Sequence, residues 1–256
     1  MTAVHDRPPA AAPLRDTALL FAGLLAGWQV LSLLAGAQVL TPPLATLRRL
    51  GQLMAGADFA GHAIETASAF VVALAISLAG GLVAGAALGA HRLSGEVAEP
   101  LLVGLYSIPK ITLYPVVLLL FGLGLSAKIA FGAIHGIIPV ILFTMNAVRS
   151  IPQAYLRAAR SMRLTPAQTF AHVLVPATLP EIVTGFRVGF SLTLLGTLIG
   201  EMFASQRGIG YLLIKSMENN DIEIIIALAL LLVTLATAAS WLLLILERRL
   251  HGRFTH

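Results

Sequence analysis

The chain is predicted to be an all-α polytopic membrane protein with six transmembrane helices and a polar two-helix hairpin on one face. Three observations predict it. Of the 256 residues 57% are hydrophobic and only 11% charged, under half the usual charged quarter of a soluble domain. Six apolar stretches are each long enough to cross a bilayer as a helix. Between the fourth and fifth lies the longest polar, charge-bearing interruption, residues 150–180, SIPQAYLRAARSMRLTPAQTFAHVLVPATLP. The net charge of +5 invites a nucleic-acid partner, but the basic residues cluster at span ends, which reads as topology and excludes a DNA-binding stripe. The chain has no cysteine, so disulfides, iron–sulfur clusters and thiol catalysis are excluded.

Residues 1–16, rich in Pro and Ala and without an apolar period, are expected to be a disordered tail. Span one covers roughly Thr17–Ala37. A cleaved signal peptide competes for this run, since Arg7 and Arg15 precede it and Ala35-Gly36-Ala37 resembles a cleavage site. The run exceeds a typical apolar region of about 7–15 residues, which favours an uncleaved span. Residues 38–63 form a loop with a short amphipathic stretch, Leu44–Met54.

Span two is roughly Ile64–Ala90. Within it Ser77, Gly81, Gly85 and Gly89 fall at four-residue steps, a smooth stripe that lets helix backbones approach where lipid gives no hydrophobic push. After a turn at His91–Gly95, span three (Val97–Phe121) contains Pro109, Lys110 and Pro115, and span four (Ser126–Val148) contains His135 and Pro139. His135, isolated on an apolar span, is expected to be a satisfied contact between helices. Span five runs from about Thr178 to Phe203, residues 204–221 make a polar loop, and span six is about Ile222–Leu246 before a short tail, 251–256.

Six crossings put both ends on one side. That side holds Arg7, Arg15, Arg92, Arg149, Arg157, Arg160, Arg163, Arg248, Arg249 and Arg253, while the other holds Arg48, Arg49, Lys128, Arg207 and Lys215. The basic excess marks the first side as cytoplasmic, and the hairpin falls there. Ser150 with Pro152 and Gln153, and Thr165 with Pro166 and Gln168, each fit a capping box at a helix start. Val175-Pro176 and Leu179-Pro180 should break the second helix, because a residue before proline avoids the α region. The first helix is amphipathic, with Ile151, Tyr155, Ala158 or Ala159, and Met162 on one face and Gln153, Arg157 and Arg160 on another. Such a hairpin suits a docking element for a soluble partner, or an interfacial helix on lipid headgroups.

Ionisable groups inside spans are functional candidates by default. Lys110 sits mid-span beside a proline that frees backbone carbonyls. Arg187, some ten residues into span five, can snorkel toward the cytoplasm. A cationic pathway through Lys110 and Arg187 would suit an anionic solute. Glu201, near the outer end of span five, could pair with Arg207 or act in an outer gate. No Gly-x4-Gly-Lys-Ser/Thr occurs, so the chain cannot cradle nucleotide phosphates in the P-loop manner. No metal-ligand cluster, His-Glu-x-x-His or Gly-x-Ser-x-Gly occurs either, and no nucleophile–base pair supports an intramembrane enzyme. A secondary transporter or channel remains an alternative, though paired mid-membrane acids and an inverted repeat are lacking.

From Arg157 onward the sequence RAARSMRLTPAQTFAHVLVPATLPEIVTGFRVGF, followed by GEMFASQRGIGYLL, resembles the cytoplasmic "EAA" loop and following span of binding-protein-dependent ABC importer permeases. That pattern is Glu-Ala-Ala, three residues, Gly, nine residues, then an aliphatic residue, any residue, an aliphatic residue and Pro. Ala158-Ala159 and Val173-Leu174-Val175-Pro176 match; Arg157 replaces the Glu and Arg163 the Gly. IPKITLYPVVLLLFGLG and EMFASQRGIGYLL look most like the nitrate/sulfonate/taurine branch, and the similarity covers roughly residues 64–250.

The resemblance implies a type I importer-like transmembrane domain over residues 17–250. It implies a homodimeric or pseudo-dimeric permease in the bacterial inner membrane, a periplasmic or lipid-anchored solute-binding protein, and a cytoplasmic ATP-binding subunit that holds ATP and Mg while this chain binds no cofactor. Coupling would run through the loop 149–177, with Arg157, Ala158, Ala159, Arg160, Arg163, Leu164, Thr165 and Pro166 at the contact. Arg163 in place of glycine removes a residue free to take φ > 0 at the turn.

Overall fold

A computed structural model describes residues 14–36 and 38–254, and residues 1–13, where most of the expected tail falls, lie outside them. Every regular element among the described residues is helical: α1 Leu14–Ala35, α2 Pro43–Ala55, α3 Phe59–Ala90, α4 Arg92–Ser107, α5 Tyr114–Phe121, α6 Leu125–Arg149, α7 Gln153–Ser161, α8 Pro166–Thr169, α9 Val175–Ala204, α10 Ile209–Glu218 and α11 Ile222–Phe254. Five helical stretches are long and apolar enough to cross a membrane, and a bent pair, α4 with α5, makes up to six.

The centre is α6, packed between α3 and α9. Its apolar window is 61% buried, against 6% for α1 and 11% for α11, so the outer helices carry much of the exposed apolar surface. The four-residue stripe on α3 extends back through Ala69 and Ala73, and all six positions to Gly89 are buried. A Cβ on Gly85 would stand 2.7 Å from the Ile141 carbonyl, and one on Gly89 the same distance from that of Met145. The glycines therefore bring the α3 backbone directly onto α6. Ser77 adds a bond, its hydroxyl donating to the Ala133 carbonyl at 3.2 Å.

Four expectations need correction. Span three is not one rod: α4 ends at Ser107, a 3-10 turn spans Lys110–Leu113, and the two halves meet at 88°. Ile108 before Pro109 is extended (φ −65°, ψ 133°), since the proline ring excludes the α region from its predecessor. The turn expected at His91–Gly95 shrinks to His91, because α4 begins at Arg92. The loop 204–221 contains α10, whose Ile209, Gly210 and Ser216 are buried. Pro176 and Pro180 do not end the hairpin's second helix, which runs unbroken from Pro166 to Phe203. A wider π turn at Phe170–Leu174 precedes Pro176, and such a bulge accommodates an i−4 bond that a proline cannot make.

Candidate functional site

Two assemblies sit at opposite ends of α9. At the near end, α7 lies against the π turn, with Ala159 buried. Its start differs from expectation. Ser150 does not cap α7; it closes α6, its hydroxyl bonding the Ala147 carbonyl at 3.1 Å, and extended Pro152 precedes Gln153. The end of α7 is tightly made. The Leu164 N–H donates to the Ala159 carbonyl and the Arg163 N–H to that of Arg160, both at 3.0 Å. This pair of bonds is a Schellman motif, which needs a left-handed residue at its turn. Arg163 supplies it at φ 53°, although a side chain there is strained.

Directly after the turn, Thr165 accepts from the Gln168 N–H at 3.3 Å while Gln168 Oε1 accepts from the Thr165 N–H at 2.9 Å, a complete capping box with Pro166 at the first helical position. Arg157, Ala158, Arg160 and Arg163 are exposed, Leu164 half-buried, and Tyr155 and Met162 expose apolar surface beside them. A groove of about 510 Å³ opens between α7 and α9, lined in part by Tyr155, Met162, His172 and Pro176.

At the far end of α9 lies a buried ionic knot. Glu201 is fully buried. The Thr66 hydroxyl, 2.8 and 2.9 Å from its two oxygens, donates to the carboxylate, and the Gly210 N–H donates to Oε2 at 2.9 Å. Lys128, its side chain 1% exposed, donates to Glu65 at 2.9 Å and to the Arg207 carbonyl at 2.8 Å. The Ile209 N–H donates to Thr66 at 2.8 Å and the Gly208 N–H to His62 Nδ1 at 3.0 Å. Four consecutive backbone groups, residues 207–210, are thus each tied to a side chain from another part of the fold. The glycines of EMFASQRGIG make room: a Cβ on Gly208 would run into the Glu201 carboxylate, and one on Gly210 would stand 2.8 Å from Glu201 Cβ.

Glu201 therefore meets Thr66 and Gly210 rather than the Arg207 guanidinium, while Arg207 takes part through its carbonyl. Sequence reasoning left out Glu65 and Thr66 and counted Lys128 only as a charge at a span end. Opposite charges at the same end of two apolar spans were the available signal, because such charges must find partners when buried.

The two cations inside the spans have separate partners. Lys110 stands at the corner of the broken span, its ammonium donating to the Tyr106 carbonyl at 3.0 Å and lying 5.0 Å from that ring's centre. Arg187 does not depend on snorkelling: it pairs with Glu247 of α11 at 3.1 Å. Tyr106 and Arg187 line one cleft with Ser191 and Ser240. His135 bonds the Phe131 carbonyl of its own helix at 2.8 Å, and its ring packs where a Cβ on Gly196 of α9 would fall.

Helices long and apolar enough to cross a membrane, with a capped hairpin between two of them, are the architecture of a polytopic membrane protein. Residues 77–252 match the family described as binding-protein-dependent transport system inner membrane component. This chain belongs to that family and is the membrane-spanning permease subunit of an ABC importer. It is 27% identical to the formylaminopyrimidine transport permease protein ThiX of Halalkalibacterium halodurans, over 80% of this chain and 82% of that one. It is 25% identical to a Bacillus subtilis protein named for aliphatic sulfonates transport, SsuC, over 91% and 85%. To the taurine transport system permease protein TauC of Escherichia coli it is 26% identical, over 75% and 70%. A chain of the MetNI methionine ABC transporter, solved facing inward, has the same fold, with a TM-score of 0.61, 21% identity, and coverage of 75% of this chain and 94% of that one.

Proposed function

We propose that this subunit works in a bacterial inner membrane with both ends in the cytoplasm, importing a small solute with an anionic group, such as an alkanesulfonate or taurine. A solute-binding protein delivers the solute on the outer side, two permease copies enclose its route, and a separate ATP-binding subunit, holding ATP and Mg, grips the hairpin 149–177. The relatives named for sulfonates and taurine support the solute class, as do the cations Lys110 and Arg187 set into the spans beside Tyr106.

The observation that carries the coupling role is the Schellman turn from α7 into the long helix of α9. With that turn hydrogen-bonded and capped on both sides, a push on α7 reaches the span without a slack joint. Arg157 and Arg160 stand exposed on α7, so the docking groove of the ATP-binding subunit is acidic where it meets them.

The test is recovery of the ATP-binding subunit with the tagged chain from detergent extracts. Arg157→Glu combined with Arg160→Glu cuts that recovery to a small fraction of wild type while the permease itself stays monodisperse. Undiminished recovery would sink the docking role.

A further inference from the structure

We propose that the cleft beside the ionic knot is a subsite for the acidic head group of a short-chain organic monoanion, a sulfonate or a carboxylate. This rests on the anionic-solute reading above and gives it a place. A cavity of about 560 Å³ opens at the end of α9 remote from the hairpin, walled in part by Glu65, Leu123, Lys128, Phe203, Ser205 and Arg207. Its size falls among small-molecule sites, about 300–1,000 Å³.

The lining divides by chemistry. Arg207 is exposed and makes no ion pair among the described residues. Its planar fork of donors fits two oxygens of a carboxylate or sulfonate. The Lys128 ammonium has three donors, of which Glu65 and the Arg207 carbonyl take two. The third has no partner among the described residues, in a side chain that is otherwise out of water. Leu123 and Phe203, 79% and 55% exposed, form an apolar wall that a short alkyl body would cover, removing its surface from water along with theirs.

Charge limits the ligand further. Lys128 and Arg207 face one lining carboxylate, Glu65, and Glu201 lies behind the backbone of Gly208 and Gly210 rather than in the cleft wall. A single surplus positive charge suits a monoanion, and Glu65 would repel a second negative charge. The head group would also lie beside the buried Lys128 side chain that holds the Arg207 carbonyl, so binding bears on the loop before α10.

The experiment uses the full chain in lipid nanodiscs and saturation-transfer NMR with butanesulfonate, with butylammonium as the cationic counterpart. Wild type is expected to transfer saturation to the sulfonate's methylene protons and not to butylammonium. Arg207→Gln, at an exposed position where folding is not at risk, weakens the apparent affinity at least fivefold. Leu123→Trp, which fills the cleft and leaves every charge in place, abolishes the signal. Either variant titrating like wild type overturns the subsite, and so does the absence of a sulfonate signal from wild type. Sulfonate binding that ignores both variants leaves the anionic-solute reading standing without this site. Preference for butylammonium removes that reading itself, and recovery of the ATP-binding subunit reports on coupling separately.

Discussion

The Thr66 hydroxyl lies 2.8 Å from Glu201 Oε1 and also accepts the Ile209 N–H at 2.8 Å, joining α3 to both ends of the α9–α10 connection. One small side chain therefore serves a buried carboxylate and a buried amide together. Thr66→Val keeps the volume and removes both bonds. It is expected to destabilise the folded chain by about 1–3 kcal/mol, the cost of leaving a buried polar group unpaired. Thermal unfolding in detergent reads this directly; a midpoint equal to wild type would show that water replaces the hydroxyl.

Glycine is required at 208 and dispensable at 61. Gly208 has φ 126° and ψ 166°, a region open essentially to glycine alone, and its missing Cβ leaves the space that the Glu201 carboxylate fills. Gly208→Ala is expected to cost about 3 kcal/mol or more and to lower the yield of monodisperse protein. At Gly61, within α3, nothing approaches an added Cβ within 4 Å. Gly61→Ala should gain about 0.5–1 kcal/mol from helix propensity. Equal effects at the two positions would contradict this account of the knot.

Arg163 occupies a left-handed turn position where the family pattern has glycine. Arg163→Gly relieves that strain and is expected to stabilise the chain by about 0.5–1 kcal/mol, net of the freedom glycine adds to the unfolded state. Arg163→Val should destabilise it, because a β-branched residue is poorly tolerated at positive φ. Protection of the Leu164 amide from hydrogen exchange is the local readout: slower exchange in the glycine variant supports the turn, and faster exchange opposes it.

Arg187 and Glu247 link α9 to α11, and the Thr184 hydroxyl donates to the same carboxylate at 2.7 Å. Their side chains are 35% and 13% exposed, so solvent screening weakens the pair below a fully buried one. A double-mutant cycle with Arg187→Gln and Glu247→Gln is expected to give a coupling of about 1–2 kcal/mol, the double variant being less damaged than the two single losses predict. Strict additivity would mean that the two residues act independently.

Legibility in the sequence followed the range of each interaction. The Thr165–Gln168 capping box depends on four adjacent residues and was readable outright, as was the stripe through Ser77, Gly81, Gly85 and Gly89, because helical spacing alone puts those positions on one face. The second capping signal, at Ser150, misled. The same residue could close α6, and extended Pro152 leaves α7 to start without it. Pro176 and Pro180 read as breaks because the π turn ahead of Pro176 has no sequence mark and α9 continues through Pro180. The corner at Ile108–Pro109 lay inside an apolar run long enough to be read as one span. The knot was the least legible feature. It brings residues near 65 to residues near 205, and nothing local to Thr66 or Lys128 announces that pairing.

The helical run from Pro166 to Phe203 begins at the capped turn and ends two residues beyond Glu201. At 1.5 Å per residue its 38 residues make a beam of about 57 Å. A tilt of about 5° at one tip displaces the other by roughly 5 Å, more than the length of a hydrogen bond. A pull on the hairpin end would thereby strain the four backbone tethers at the far one, by leverage along the helix alone.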